Sequence, residues 1–572
     1  METSDVRPSQ PAAWTRYVPI LSWLPHYDRS WLNADLLAGL TLWGLIVPEA
    51  MAYAGLAGLP PQAGLYTLVV ALLVYALFGT SRHLVVGATS ATSVLLASTV
   101  AVFGAAAATP EGYRAYASAL VIVVGAVFLI AGIARLGFIT QFLSKPVMDG
   151  FITGLALFVM VGQLNKLLGV SSAQGNTVEK LVHLVRELPN TNVVSLLVGL
   201  GALVVLFLLP RLSKKIPAGL VVLFGFILLS SALDLSGRYG VETVGVIPGG
   251  LPAPSIPDLS IIRFNEMVLP AIGIVLVAYS ESLGVAREFS DKHHYEVDPD
   301  QELRALGAVN LASGMFSGQL AGGSMSASAV KEGSGGRSQM ANLVTWGAAL
   351  LTLLFLTPLF ASLPEAVLGA LIIHAVWHIV AERKLQEVRL ASRSEFWLGA
   401  LALAGVLLVD VLEGMVIGLL ASVLLVLYRS SRPHIAALGR APGAEAAYTD
   451  LDRHPENQPV AGMLVLRIDG PLYFASALTV REDIRAQVAA AGPGLRAVVV
   501  DFAAQDKLDI TGAQMLVSLV RDLQRAGITL IAANVHAPVI DFSRNFELEA
   551  LFGEGRVYAS VAEAVAAVTP AV

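Results

Sequence analysis

The pattern of polar and apolar positions changes once along this chain. From Asp35 to Arg429 apolar runs follow one another almost without a break; from Val460 onward they are short and interleaved with charge. The runs of the first part fall near 36–58, 62–79, 89–105, 116–134, 146–168, 192–209, 217–233, 267–285, 303–318, 325–333, 343–361, 364–380, 395–409 and 412–428, fourteen segments in all. A helix needs about 20 apolar residues to cross a bilayer, so several of these are short. The runs at 89–105 and 325–333 are rich in small and hydroxyl residues. Non-helical backbone survives at membrane depth only inside protein or beside a water-filled cavity. Both runs are therefore expected to be half-helices entered from an extended segment. A Pro/Gly-rich extended connection, "VIPGGLPAPSIPDL", is expected within 234–266.

After Tyr428 the reading is different. Residues 431–459 read as a polar linker. "GMLVLRI", "LRAVVVDF" and "ITLIAANV" read as strands, and "ALTVREDIRAQVAAA" and "TGAQMLVSLVRDLQRAG" as helices. The expected organisation is a segment at 1–34, a membrane part at 35–430 with halves at about 35–233 and 267–428, the linker, and an α/β domain at 460–572.

Composition agrees. The 572 residues are 55% hydrophobic and 14% charged, against about 25% charged in a soluble domain. The lipid bilayer is the expected environment. A net charge of −6 argues against nucleic acid as a partner, and the absence of cysteine excludes disulfides and thiolate metal sites. The first thirty residues carry Pro8, Pro11, Pro19 and Pro25 without an apolar core, so the first membrane helix is expected to act as the insertion signal. With the N-terminus in the cytoplasm, loops after even-numbered segments, with the segment ends that adjoin them, hold fourteen Lys and Arg, among them Arg82, Lys214, Lys215, Arg337 and Arg383. Loops after odd-numbered segments, with the segment ends that adjoin them, hold six, among them Lys166 and Arg263. The positive-inside rule then predicts a multi-pass protein of the inner membrane with both termini cytoplasmic.

The two small-residue runs match. Gly87-Ala88-Thr89-Ser90-Ala91-Thr92 and Gly323-Ser324-Met325-Ser326-Ala327-Ser328 both read G-x-x-S-A-[T/S]. They belong to the third and tenth segments, seven apart. Seven is odd, so two such repeats would be inverted, as in secondary transporters with broken helices at the midplane. A half-helix starting there points unpaired N–H groups and the positive end of its dipole into the cavity. Two facing each other would form an anion site without lysine. Tight helix packing explains each run singly but not the pair.

These stretches carry a resemblance. "DLLAGLTLWGLIVPEAMAYAGLAGLPPQAGLY", "LVVGATSATSVLLAS", "PVMDGFITGLALFVMVGQLNKLLGV", "YSESLGVAREF", "DQELRALGAVNLASGMFSG" and "GSMSASAVKEGSGGRSQ" resemble the sulfate permease family of anion transporters. The last domain, through "VVVDFAAQDKLDITGAQML", resembles a STAS domain. The resemblance implies fourteen transmembrane segments as a seven-plus-seven inverted repeat of core and gate subdomains. It implies a site between the third and tenth segments with contributions from the first and eighth, a homodimer, and elevator-like movement. Carried onto this chain, the substrate-binding residues are Tyr53, Thr89, Ser90, Ser324, Met325, Ser326, Ala327 and Ser328.

Two membrane carboxyls are candidates for the coupling ion, proton or sodium. Glu49 lies fourteen residues after Asp35, about 21 Å along a helix. A carboxylate there costs several kcal/mol unless it faces water or takes up a proton, or else it pairs with a buried arginine. Tyr53, at i+4, shares its face. Glu281 in "AYSESLGV" is the second, unless it serves as a hydrogen-bonding group that fixes the core. Where many members of the family carry Arg or Lys, this chain has Ala327; it has Lys331 where Asn is common and Ala88 where Pro is frequent. Lys331 is expected either to supply part of the missing positive field or to be a cytoplasm-side lysine beside Glu332. Asp410 and Glu413 read as capping or solvated groups at a bend.

Thr511 and Asp509 are weak regulatory candidates, since Thr511 takes the place of a hydroxyl phosphorylated in anti-sigma antagonists; helix capping explains both. His374 and His378 lack the Glu of a zinc-hydrolase motif, so no metal is expected. "KHH" at 292–294 reads as a solvated loop. With no nucleophile elbow, phosphate loop or dinucleotide fingerprint, no cofactor and no enzyme activity is expected. The expected function is secondary active transport of a small anion (sulfate, bicarbonate or a dicarboxylate), with proton symport ahead of sodium-coupled symport. A passive channel or exchanger and a STAS-linked anion sensor are the competing functions.

Overall fold

In a computed structural model, the described residues are 17–568 apart from 108, 143, 174, 213–217, 255–263, 382–383, 444–446, 545–552 and 554. Lys214, Lys215, Arg263 and Arg383 of the loop-charge count, and the end of the Pro/Gly-rich connection, lie outside them. The chain divides into two compact units, Met1–Ser422 and Val423–Val572.

Each of the fourteen apolar segments coincides with a helix. These are α1 (Leu32–Leu56), α2 (Pro61–Phe78), α3 (Ser90–Ala101), α4 (Pro110–Ile133), α5 (Lys145–Leu168), α6 (Val193–Leu212) and α7 (Ala218–Leu233). The second series is α8 (Phe264–His293), α9 (Pro299–Met315), α10 (Met325–Gly333), α11 (Met340–Leu351), α12 (Glu365–Ala381), α13 (Arg393–Leu408) and α14 (Val411–Ser431). Among the described residues, eight helices are long and apolar enough to cross a membrane. Local signals set many starts: Pro61 and Pro110 occupy first-turn positions where their missing N–H costs nothing, and Thr109 caps α4.

Small residues set close helix contacts in this unit. Gly125 and Gly132 of α4 face Gly307 and Gly314 of α9, and a Cβ on any of the four would come within 3.0 Å of the other helix. Close helix approach through small residues replaces the hydrophobic drive that is absent between helices in lipid. Two three-residue strands, β1 (Val85–Gly87) and β2 (Gly322–Ser324), precede α3 and α10 and pair antiparallel, Val85 with Ser324 and Gly87 with Gly322.

The second unit is built on a six-stranded sheet of β3 (Ile435–Arg440), β4 (Tyr448–Asp450), β5 (Met463–Ile468), β6 (Ala497–Asp501), β7 (Thr529–Ala533) and β8 (Val557–Tyr558), in the order β4-β3-β5-β6-β7-β8. β5 to β8 run parallel, and β3 and β4 are antiparallel. β6 is buried at every position, as a parallel strand covered on both faces must be. Helices α15 (Ala477–Ala491), α16 (Ile510–Arg525) and α17 (Ala537–Ser543) bury Val480, Leu519 and Val539 with Val498 and Val500, while α18 (Val561–Val568) packs with Val499 and Ile531 on the other face. The stretch expected to be a linker holds β3 and β4. Its alternation is broken by Gly and Pro, and β3 is held by pairing with β5 rather than by its own pattern.

Candidate functional site

The site grows from the β1–β2 pair. Because the strands are antiparallel, their chains enter α3 and α10 from opposite ends of one short ladder. Thr89 caps α3: its Oγ1 accepts from the Thr92 N–H at 3.2 Å, and Thr92 Oγ1 accepts from the Thr89 N–H at 3.1 Å. Ser324 caps α10, accepting from the Ala327 N–H at 3.2 Å. By their caps Thr89 and Ser324 are equivalent, one residue off the G-x-x-S-A-[T/S] alignment. The caps take the third amide of each helix. The amides of Ser90 and Ala91, and of Met325 and Ser326, have no acceptor among the described residues. Two helix N-termini thus present free donors, the electrostatics of an anion site.

The candidate residues divide. Met325 is 40% exposed, Ser90 and Ser326 are half-buried, and the Ser326 and Ser324 hydroxyls lie 3.2 Å apart. Ala327 and Ser328 are fully buried. Ser328 Oγ accepts from the Val85 N–H at 2.9 Å and donates to the Ser324 carbonyl at 2.6 Å, so it ties β1 to α10 and its one proton is committed. Ala88 is buried at the end of β1.

Helix α8 closes one side. Ser282 Oγ accepts from the Gly323 N–H at 2.7 Å. Its neighbour Glu281 keeps Oε2 buried with no hydrogen-bond partner among the described residues. From α1, Glu49 and Tyr53 are 3% and 5% exposed, and neither side chain makes a hydrogen bond or ion pair among the described residues. Glu49 and Glu281 both lie within electrostatic reach of the Tyr53 hydroxyl. Pro48, just before Glu49, withholds the N–H that the Gly44 carbonyl would accept.

Two other buried carboxyls give the contrast, and sequence reasoning missed them. Asp35 accepts from Tyr27 Oη, Ser338 Oγ and the Arg337 and Ser338 amides at 2.6–3.3 Å. Glu302 accepts from Tyr75 Oη and from the hydroxyl and amide of Thr80 at 2.6–2.8 Å. Those two carboxylates are satisfied; Glu49 and Glu281 are not.

Lys331 is not exposed beside Glu332. It is fully buried, and its Nζ donates to the Arg82 carbonyl at 2.9 Å. It sits in the last turn of α10, about 9 Å along the axis from Met325, away from the free amides. Glu332 pairs instead with Lys292 and His293, each at 2.7 Å. The "KHH" stretch is accordingly no solvated loop: Lys292 and His293 are the last turn of α8. Asp410 accepts from the N–H of its neighbour Val411 where α14 starts, and Glu413 is exposed. His374 lies edge-on to Phe207; the His378 side chain is outside the described residues, among which no cluster could hold a metal ion. In the second unit Asp509 caps α16 through the Gly512 N–H at 2.7 Å and also accepts from the Phe474 N–H, while Thr511 is exposed and takes no part in the cap.

Such a fold, with two broken helices meeting at a site inside the bundle, defines a polytopic membrane transporter. The sulfate permease family model matches residues 32–402 and the STAS domain model residues 454–564. A probable sulfate transporter of Mycobacterium tuberculosis is 34% identical over 95% of this chain and 96% of its own length. The structure of SLC26A9 superposes with a TM-score of 0.89 at 25% identity, covering 97% of this chain and 92% of that one. The transmembrane domain of a cyanobacterium bicarbonate transporter, BicA, superposes with a TM-score of 0.61 at 25% identity, covering 68% and 97%. The chain belongs to the sulfate permease family of anion transporters and carries its C-terminal STAS domain.

Proposed function

We propose that the protein is a secondary active transporter that moves a small anion with protons, and that the anion binds between the N-termini of α3 and α10. The observation that carries this reading is the pairing of two opposite chemistries in one place. Free amides at Ser90, Ala91, Met325 and Ser326 suit an anion, and two unpaired carboxyls suit a coupling cation. Ionised Glu49 lacks the partner that would offset its desolvation, and a proton arriving with the substrate removes that deficit. Few fixed charges surround the amides, which suits bicarbonate, or a dianion such as sulfate or a dicarboxylate carried with protons. Tyr53 and the hydroxyls of Ser90 and Ser326 complete the lining in this proposal.

Sodium is the second reading, favoured by the free oxygen of Glu281. Loop charges support cytoplasmic termini and an inner-membrane location. We also assign residues 35–430 to transport by elevator-like movement of a core against a gate, in a homodimer. The test is uptake of labelled sulfate, bicarbonate and dicarboxylate into liposomes, with and without an inward proton gradient and sodium. Accumulation above equilibrium under the proton gradient supports the reading; equilibration in every condition supports a passive pathway.

A further inference from the structure

At one end, the three elements that build the site meet in a cluster of rings and charges. The loop 79–84, which leads into β1, contributes Arg82 and His83. The end of α8 contributes Phe289, Lys292 and His293, followed by Tyr295. The last turn of α10 contributes Lys331 and Glu332. The His83 and His293 rings stack with centroids 4.2 Å apart and planes 19° from parallel. His83 also stacks on Phe289 at 5.9 Å, and its Nδ1 lies 3.3 Å from the Tyr295 hydroxyl. His293 Nε2 is 2.7 Å from Glu332 Oε1. Arg82 lies over the Tyr295 ring at 5.4 Å, and Lys331 holds the Arg82 carbonyl.

We propose that the stacked His83–His293 pair is a second proton-binding site, apart from Glu49 and Glu281, and that it clamps β1, α8 and α10 together while His83 is neutral and releases them when both rings are charged. Two imidazolium rings in face-to-face contact repel, and the other groups facing His83 add to this. Arg82 is a cation, Lys331 is a buried amine that adds positive charge when protonated, Tyr295 is neutral, and Glu332, the anion of the group, is already shared by Lys292 and His293. Burial first, and then the charges of Lys331 and His293, hold His83 at about 3, well below the usual imidazole range. The sign follows. The folded value lies below the unfolded one, so the clamped form is fully stable above about pH 6.5 and loses stability as pH falls below it.

The functional effect is a brake. Release loosens the strands from which both half-helices start, so acid on the side that loop 79–84 faces slows transport. Under the proposed topology that side is the cytoplasm, and the brake limits proton entry; only this sidedness rests on the proposed function. The clamp itself is tested without transport. Hydrogen exchange of the 79–87 and 322–333 amides is followed on the full-length protein in detergent at pH 7.5 and 5.5, corrected for the chemical exchange rate. Wild type should lose protection there roughly tenfold at the lower pH. His83→Phe, which stacks but takes no proton, should keep it. If His83→Phe does not fold, His293→Phe, at a side chain 36% exposed, removes the same repulsion. Equal loss in the variant and wild type, or no loss in wild type, overturns the proposal.

Discussion

Gly323 and Ser282 are in backbone contact: a Cβ on Gly323 would lie 2.9 Å from Ser282 Cα, and the Gly323 N–H already donates to Ser282 Oγ. Helix α8, which carries Glu281, is therefore held against the strand from which α10 starts. Gly323→Ala must push these apart, at a cost of about 1–3 kcal/mol. The expected outcome is a lower melting temperature in detergent together with weaker anion affinity. Ser282→Ala leaves the buried Gly323 N–H without its acceptor, at about 1–3 kcal/mol, but adds no atom between the helix and the strand, so melting should fall while anion affinity is largely kept.

Ser328 joins β1 to α10. Ser328→Ala leaves the buried Val85 N–H without an acceptor, worth about 1–3 kcal/mol. Thermal unfolding should register that loss, and Ser328→Thr should restore part of it. Ser326→Ala, at a half-buried position beside the free amides, should instead raise the KM for uptake with little change in melting.

Lys331 separates structure from site. Lys331→Ala leaves the Arg82 carbonyl unpaired and a cavity behind, at about 2–4 kcal/mol. Melting should fall while the apparent anion affinity of the folded fraction stays within about twofold, below 0.5 kcal/mol. A large loss of affinity at unchanged stability would place the lysine in the site.

In the STAS unit, Asp522 accepts from Arg485 and from Arg481 at 2.9 Å, joining α16 to α15. The Arg485 hydrogen bond chiefly holds its carboxyl below the usual range. A depressed folded value contributes stability above the unfolded value, about 3.9, and loses it as pH falls. Asp522→Asn should therefore destabilise this unit at pH 7 by about 0.5 kcal/mol, since the pair is near the surface. The difference should shrink toward pH 3, read by thermal unfolding.

Much of the fold was legible because its signals are local. "ALTVREDIRAQVAAA" is α15 residue for residue, and the small-residue runs marked α3 and α10. What was not legible depends on distant partners. Ser328 meets Val85 from 243 residues away, and Lys331 meets Arg82 from 249. The motif alignment missed the cap equivalence by one residue: Ser324 caps α10 from within the β1–β2 ladder, and Thr89 caps α3 from two residues beyond it, a difference no single run encodes. Likewise the sequence marked Glu49 and Glu281 as carboxyls in apolar surroundings and passed over Asp35 and Glu302. Only the donors that fold around Asp35 and Glu302 set the unpaired two apart.

That contrast makes Glu49 the centre of the account. Wild type and Glu49→Gln are reconstituted side by side and labelled-anion uptake is followed under an inward proton gradient. Glu49→Gln is isosteric and keeps the amide donors, so it should exchange anion and reach equilibrium but no longer exceed it, while wild type concentrates its substrate. Accumulation by Glu49→Gln to the wild-type level would contradict the claim that this carboxyl carries the coupling proton.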